Sequence, residues 1–539
     1  RLGEEMAKRM VEIMSATPTS NKVITAMSNL SYTTMLGLSP SFLMLNLLQP
    51  WTVSAPILAA RHGYVATGKA LSAAGAEVAA NMYNNYKGNN GFEFDMSKLP
   101  SDEAAFIKSM HEKGAIDITQ EHDLGAQATG QTEGWTDKLA SWSSIPAHHT
   151  EVINRIATAL AAYRLEKQID LQKNASNAAK YAEKVVSETH LDYTSENAPR
   201  LMRASSLGGL GKLVFQFKKY QQGMIYLTFK HAKDGFWKNT ESLSPEERKE
   251  ARKAFVSLMG AQMAVAGIAA TPMTGILAGA AAVVGLFQDK DKDKEYRVRF
   301  YNALKGQIGE DLATLIMKGV PAAVLNVDLS NRAGMGDILN PFKYASTGTT
   351  GQSSVAGYLM ALAGPSASLA ANYTQAAMDV QSGDLVKAAR TIAPRFIQGP
   401  MDAYAMANNG LTTRNGNRYM KPEDLSAWDI ATKAVGLNTA SLTNLSDARQ
   451  AMDTAVKDRD AVRKSLISSY AKAALLGGDL DSIRDRIADF NSRHGERGVR
   501  IDQASLIKAR QAEARYEREL RNGVHVSRRD RALYEDLMK

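Results

Sequence analysis

The sequence contains no cysteine. That absence excludes disulfides, thiolate zinc sites, iron–sulfur clusters and cysteine nucleophiles. Any time outside the cytoplasm is therefore passed without disulfide staples. Proline is scarce, 15 in 539 residues, and aromatic residues make up only 7%. Both shortages argue against a large β-sandwich, whereas 23 methionines and frequent alanine favour helices. A mean hydropathy of -0.27 argues against a polytopic membrane protein. An excess of one charge is nearly lacking too: 65 Lys and Arg against 56 Asp and Glu give +9, too dilute by itself to imply nucleic acid. No basic stretch followed by an apolar core opens the sequence, so no signal peptide is visible. Arg1 stands where an initiator methionine would, and the expectation is a C-terminal piece of a longer polypeptide.

The usual chemical signatures are also missing. His111-Glu112-Lys113-Gly114-Ala115 lacks the second histidine of a metalloprotease helix. His148 and His149 are adjacent, point to different helical faces and cannot both ligate one metal from a helix. Gly208-Gly209-Leu210-Gly211-Lys212-Leu213 is not a phosphate loop: no glycine lies five positions before Gly211, and Leu213 stands where Ser or Thr must reach magnesium. There is no Gly-x-Ser-x-Gly elbow. No catalytic, metal or cofactor residue is nominated.

What is present reads as helix. The expected fold is mainly α, an elongated protein of several helical segments with no substantial β-sheet. Six regions are delimited. Residues 1–147 are helical with apolar, proline-broken segments. Within them Met35–Ala60 carries no charge, and Pro40, Pro50 and Pro56 are expected to break any single spanning helix into kinked core pieces. Ser101 is expected to cap a helix closed by Gly114, and 115–147 to be loop. Residues 148–253 begin with a helix capped by Thr150, its stripe formed by Ile153, Ile156, Leu160 and Tyr163. Residues 254–300 hold an uncharged hairpin, 301–406 are helical, and 407–440 are a loop-rich linker. Residues 441–539 are helical, with a Leu480, Ile483, Ile487, Phe490 stripe and an amphipathic helix over Gln503–Arg521.

Two neighbouring windows stand out. Residues 200–253 hold 12 basic and five acidic residues, a net +7, interleaved with Phe215, Phe217, Tyr220, Tyr226, Phe229, Phe236 and Trp237. Such a window can track a nucleic-acid backbone, meet anionic lipid headgroups or be a solvated face. The candidate phosphate contacts are Arg200, Arg203, Lys212, Lys218, Lys219 and Lys230. Ser244-Pro245-Glu246-Glu247 then forms a capping box with proline at the first helical position. It leads into Ala254–Gln288, 35 residues without a charge, of which 15 are Ala or Gly. Pro272 divides them into arms of about 27 and 22 Å, short of a hydrocarbon core of about 30 Å. Gly275 and Gly279, with Gly260 and Ala264, let backbones approach closely. Phe255, Gly260, Ala264, Pro272, Gly275, Gly279 and Phe287 mark the candidate membrane or helix-packing segment, expected as a buried hairpin.

Four groups of residues follow one another in a telling order. Thr150-Glu151-Val152-Ile153-Asn154-Arg155 precedes Ala161-Ala162-Tyr163. Asn197-Ala198-Pro199-Arg200-Leu201 precedes Gly208 and Gln216-Phe217-Lys218-Lys219-Tyr220. Gly364-Pro365-Ser366 precedes Gly383-Asp384-Leu385 and Ala393-Pro394. Arg414-Asn415-Gly416 precedes Ser426-Ala427-Trp428 and Val435-Gly436-Leu437. Over about residues 150–530 this order resembles the C-terminal region of large phage and prophage virion proteins, the PLxRFG-type polyvalent proteins, which include internal core and ejection proteins of short-tailed phages. The PLxRFG hexapeptide itself is absent. The resemblance implies a structural, non-enzymatic region held inside the capsid and released into the host envelope with the DNA. It implies as partners further copies of the chain, other core or ejection proteins and the portal, with genomic DNA and the host inner membrane as surfaces met on the way. It implies no cofactor. Competing expectations are a virion-associated peptidoglycan lytic transglycosylase and a pore-forming toxin.

Overall fold

The computed structural model describes residues 22–89, 91–117, 134–169, 175–190, 219–237, 243–268, 290–330, 369, 371–413, 417–495, 498–521, 534 and 536. Helix accounts for 83% of the described residues and strand for 2%, so the fold is mainly α. Two compact units make it up, Arg1–Lys290 with Phe300–Asn444 and Asp291–Arg299 with Leu445–Lys539.

The first unit begins with α1 (Lys22–Met35), α2 (Pro40–Leu47), a π-helical turn (Pro50–Ser54) and α3 (Ala55–His62). The prolines mark the divisions of this run into short segments, as expected. Each stands in the first turn of its own segment, where the missing N–H has no intrahelical acceptor to lose. Among the described residues Pro40–His62 is the one stretch long and apolar enough to cross a membrane, and half of it is buried inside the protein.

The main core lies among α4 (Tyr64–Lys87), α5 (Ser101–Glu112), α6 (Trp135–Ile169) and α7 (Ala175–Thr189). Leu71, Ala74, Val78 and Met82 of α4 face Ile156, Leu160 and Tyr163 of α6 and Ala178, Ala182 and Val185 of α7 in one apolar cluster. These spacings of three and four place each set on one helical face. Phe106 of α5 stacks on Tyr163 with centroids 4.9 Å apart. Every residue from Asn154 to Tyr163 is buried, so α6 is surrounded on all sides.

Two expectations fail at α6. Residues 135–147 are helix, not loop, and Thr150 lies inside the helix, its hydroxyl donating to the Pro146 carbonyl at 2.7 Å. The Ser-rich stretch is helical because small side chains let α1 close on it. Ser143 donates to Thr33 at 3.2 Å, and a Cβ on Gly37 would lie 2.7 Å from the Ser143 hydroxyl. Ser101 also falls one place inside α5, which Pro100 caps, while Gly114 does close it at φ +71°.

Then come α8 (Lys219–Phe236), α9 (Pro245–Ala266), α10 (Lys290–Ile308), α11 (Glu310–Lys318) and α12 (Val320–Leu325). They are followed by α13 (Leu385–Ile392), α14 (Arg395–Asn409), α15 (Ala427–Ala434) and α16 (Ala440–Leu476). The strands are minimal: β1 (Val327–Asp328) pairs antiparallel with β4 (Asn438–Thr439), and β2 (Leu411–Thr412) with β3 (Arg418–Met420). The segment expected as a linker is thus built structure, with Leu437 and Asp429 buried. Lys318 ties it in, donating to Asp328 at 2.8 Å and to the Ala440 carbonyl at 3.4 Å.

The second unit centres on α17 (Leu480–Arg493) and α18 (Gln503–Arg521). Ile487 and Phe490 pack with Leu466 and Ile501, and the Asn491 amide exchanges hydrogen bonds with both backbone groups of Ile501.

Candidate lipid or nucleic-acid interface

The basic window becomes the helix pair α8 and α9. Ser244 accepts from the Glu247 amide at 3.2 Å, and Glu247 accepts from the Ser244 amide at 2.8 Å. With Pro245 at the first position, this starts α9 as its sequence requires. The inward faces are apolar: Met224 and Leu227 of α8 and Ala254 and Leu258 of α9 form one cluster with Val53, Ile57 and Ala60. The hairpin therefore lies on the π-turn and α3. Gly235 lets the pair close, because a Cβ there would stand 2.8 Å from the Arg252 side chain, and Arg252 donates to the Gly235 carbonyl at 2.6 Å.

The outward faces carry cations and apolar side chains together. On α8, Tyr226, Phe229, Lys233 and Phe236 recur at three- and four-residue steps and are all exposed, Tyr226 at 71%. On α9, Lys249, Lys253, Val256, Gly260 and Met263 do the same. Phe236 meets Phe255 edge-on at 5.6 Å, with the Arg252 guanidinium 5.9 Å above its ring. Tyr64 joins them, its hydroxyl 2.5 Å from that of Ser257, and its neighbour Val65 is 73% exposed.

Of the expected phosphate contacts, Arg200, Arg203, Lys212, Lys218 and the Lys219 side chain lie outside the described residues. Lys230 is held by Glu188 at 2.5 Å, a tie to α7. Of the expected packing segment, Pro272, Gly275, Gly279 and Phe287 lie outside the described residues, as does the second arm of the hairpin. Phe255 is half-buried, and Gly260 and Ala264 are exposed. The close backbone approach is made elsewhere. A Cβ on Gly267 would stand 2.1 Å from the Met317 carbonyl oxygen, and one on Gly319 would stand 2.7 Å from that of Ala264. Both glycines end their helices at positive φ, +74° and +86°, which is the signal that sequence reading passed over.

A second cluster pins the hairpin from below. Arg61 donates to Glu166 of α6 at 2.6 and 2.9 Å and lies 3.5 Å from Glu250 of α9. Burial pulls its pKa down, but Glu166 and then Glu250 outweigh that and hold it above the ordinary value. His62 Nε2 is 3.5 Å from Glu166, yet neither ring nitrogen makes a hydrogen bond. Burial, then the charge of Arg61, brings its pKa down to about 4. Tyr181 packs edge-on against His62 at 5.4 Å, and burial raises its phenol. His190 lies in a third nest, 3.0 Å from Thr158 and 3.4 Å from Ser54 of the π-turn. Burial lowers it well below the usual range. These groups are packed among helices α3, α6, α7 and α9 and the π-helical turn. Among the described residues no group of three or more His, Asp or Glu could hold a metal ion.

Residues 197–201, 208, 216–218, 364–366 and 414–416 of the ordered motifs lie outside the described residues, and several of the others hold the fold together. Asn154 donates to the Asn46 carbonyl at 2.7 Å, and Arg155 pairs with Glu151 at 2.9 Å, both buried. Asp384 caps α13 from the turn at Gly383. Ser426 and Asp429 form a capping box on α15, and Trp428 donates to the Leu325 carbonyl at 2.8 Å. Comparison with family models, curated proteins and solved structures finds no match for this chain.

Proposed function

We propose that the chain is a structural internal virion protein of a short-tailed phage, ejected with the genome and helping to form a DNA conduit across the host envelope. The order of the four motif groups carries this reading. Its support from the fold is that the described motif side chains are engaged in caps, buried hydrogen bonds and a buried ion pair, the work of scaffold residues. A cysteine-free helical chain also suits a protein that must loosen, pass a narrow portal and fold again. The partners on this reading are further copies of the chain, other ejection proteins and the portal. The locations are the capsid interior and then the periplasm and inner membrane.

Mass spectrometry of virions before and after triggered DNA release tests it. The chain is expected in intact particles and depleted from emptied ones. Retention in emptied particles overturns ejection. Peptidoglycan cleavage by the purified chain overturns the non-enzymatic role.

A further inference from the structure

We infer that the outward face of the α8–α9 hairpin is a docking surface for an anionic lipid bilayer. The inference rests on the envelope reading above and assigns the membrane contact to one face of the fold, which that reading leaves open. The argument starts from where the charges go. The acidic groups around the hairpin are largely engaged: Glu188 holds Lys230, Glu250 faces Arg61, and Glu247 caps α9. Lys233, Lys249 and Lys253 remain exposed on the outward faces, against Glu246 at the start of α9 and the partly exposed Asp234 of α8. A surface with that balance attracts phosphate-bearing headgroups.

Charge alone suits nucleic acid equally well, so the apolar members decide. Tyr226 and Phe229 could stack on bases. Val256, 60% exposed, and Met263, 40% exposed, have no π-face to offer a base. Val65, beside the Tyr64 that bonds to Ser257, adds a third exposed aliphatic group. Aliphatic side chains set among aromatic rings and lysines are what an interfacial helix inserts below the headgroups. The inward faces are already filled by the cluster with Val53 and Ile57, so the outward apolar groups are not a core turned the wrong way. Shallow insertion of this kind needs no unfolding of the unit beneath.

Flotation of the full chain on vesicles tests it. Binding is expected to vesicles of mixed phosphatidylglycerol and phosphatidylcholine, to weaken in high salt, and to be at least 10-fold weaker on phosphatidylcholine alone. Lys249→Ser with Lys253→Ser is expected to lower anionic-vesicle binding about 10-fold. Tyr226→Ser with Phe229→Ser is expected to weaken what survives at high salt. Both variants should keep the parent's thermal melt, which separates lost docking from lost folding. Equal binding to neutral vesicles, or parental binding by both double variants, overturns the inference. So does loss of duplex-DNA binding in these variants with vesicle binding unchanged, which would assign the face to nucleic acid. A chain present in virions and lost on ejection, yet blind to both vesicle types, would leave the envelope reading standing and remove this one.

Discussion

The middle of α6 and the α8–α9 hairpin are made of the same materials and dispose of them in opposite ways. Around α6, arginines and aromatics face inward. Arg155 is buried with Glu151, Arg164 joins Glu77 at 2.6 Å and Glu103 at 2.7 Å, and the Tyr163 hydroxyl donates to Asp102. Asp102 is held below the usual carboxylate range by Lys167 first and then by Tyr163. On the hairpin, lysines and aromatic rings stand on the exposed side, while the inner side is already apolar. The first region satisfies its own charges, whereas the second presents cations and rings together, the arrangement on which the docking proposal rests.

Substitutions can break this contrast, and the largest effect is expected inside. Arg155→Met removes the ion pair with buried Glu151 and the hydrogen bond to the Ala115 carbonyl, and should cost about 3–5 kcal/mol by denaturant unfolding. Replacing both partners by apolar residues should recover much of that. Leu160→Ala, at a position with no exposure, should cost about 3 kcal/mol by leaving a cavity. Gly267→Ala must push a Cβ into the Met317 carbonyl at a backbone angle that favours glycine, and should cost about 2 kcal/mol. A parental melting temperature for that variant would show that α9 and α11 do not pack as described.

Acid should loosen the interior before it touches the outward face. His62 titrates near pH 4 when folded and near 6.5 when unfolded. The unfolded chain therefore takes up its proton first as pH falls. The stability His62 contributes is complete above about pH 6.5 and is lost toward pH 4, at up to about 1.4 kcal/mol per pH unit. Arg61 and Tyr181, both held above their ordinary values, stay charged and neutral respectively through that window. His190 and His231 are lowered by burial in the same direction. His62→Gln should flatten the dependence of the melting temperature on pH in this range. The smallest effect belongs to Lys249→Ser with Lys253→Ser, which should change stability by no more than about 0.5 kcal/mol while reducing docking.

Local signals were legible in the sequence wherever they are self-contained. The Ser244 capping box, the Ile156, Leu160, Tyr163 stripe and the Gln503–Arg521 helix need only nearest neighbours to form. The helix over 135–147 was not legible because its Ser and Thr content and Pro146 suit a loop until Gly37 and Thr33 close on it. The strands pairing residues 327–328 with 438–439 depend on contacts more than a hundred positions apart. The basic-aromatic composition of the hairpin was visible from the start, but not which face each residue takes. Composition placed Lys230 among phosphate contacts, and only the fold sets it on Glu188. The Arg61, His62, Glu166, Tyr181 cluster left no trace, because its members come from three helices.

Hydrogen exchange with and without phosphatidylglycerol vesicles tests the contrast most directly. New protection is expected across residues 222–237 and 245–263, with residues 154–163 of α6 unchanged. Protection confined to α6, or none on the hairpin, would contradict the account.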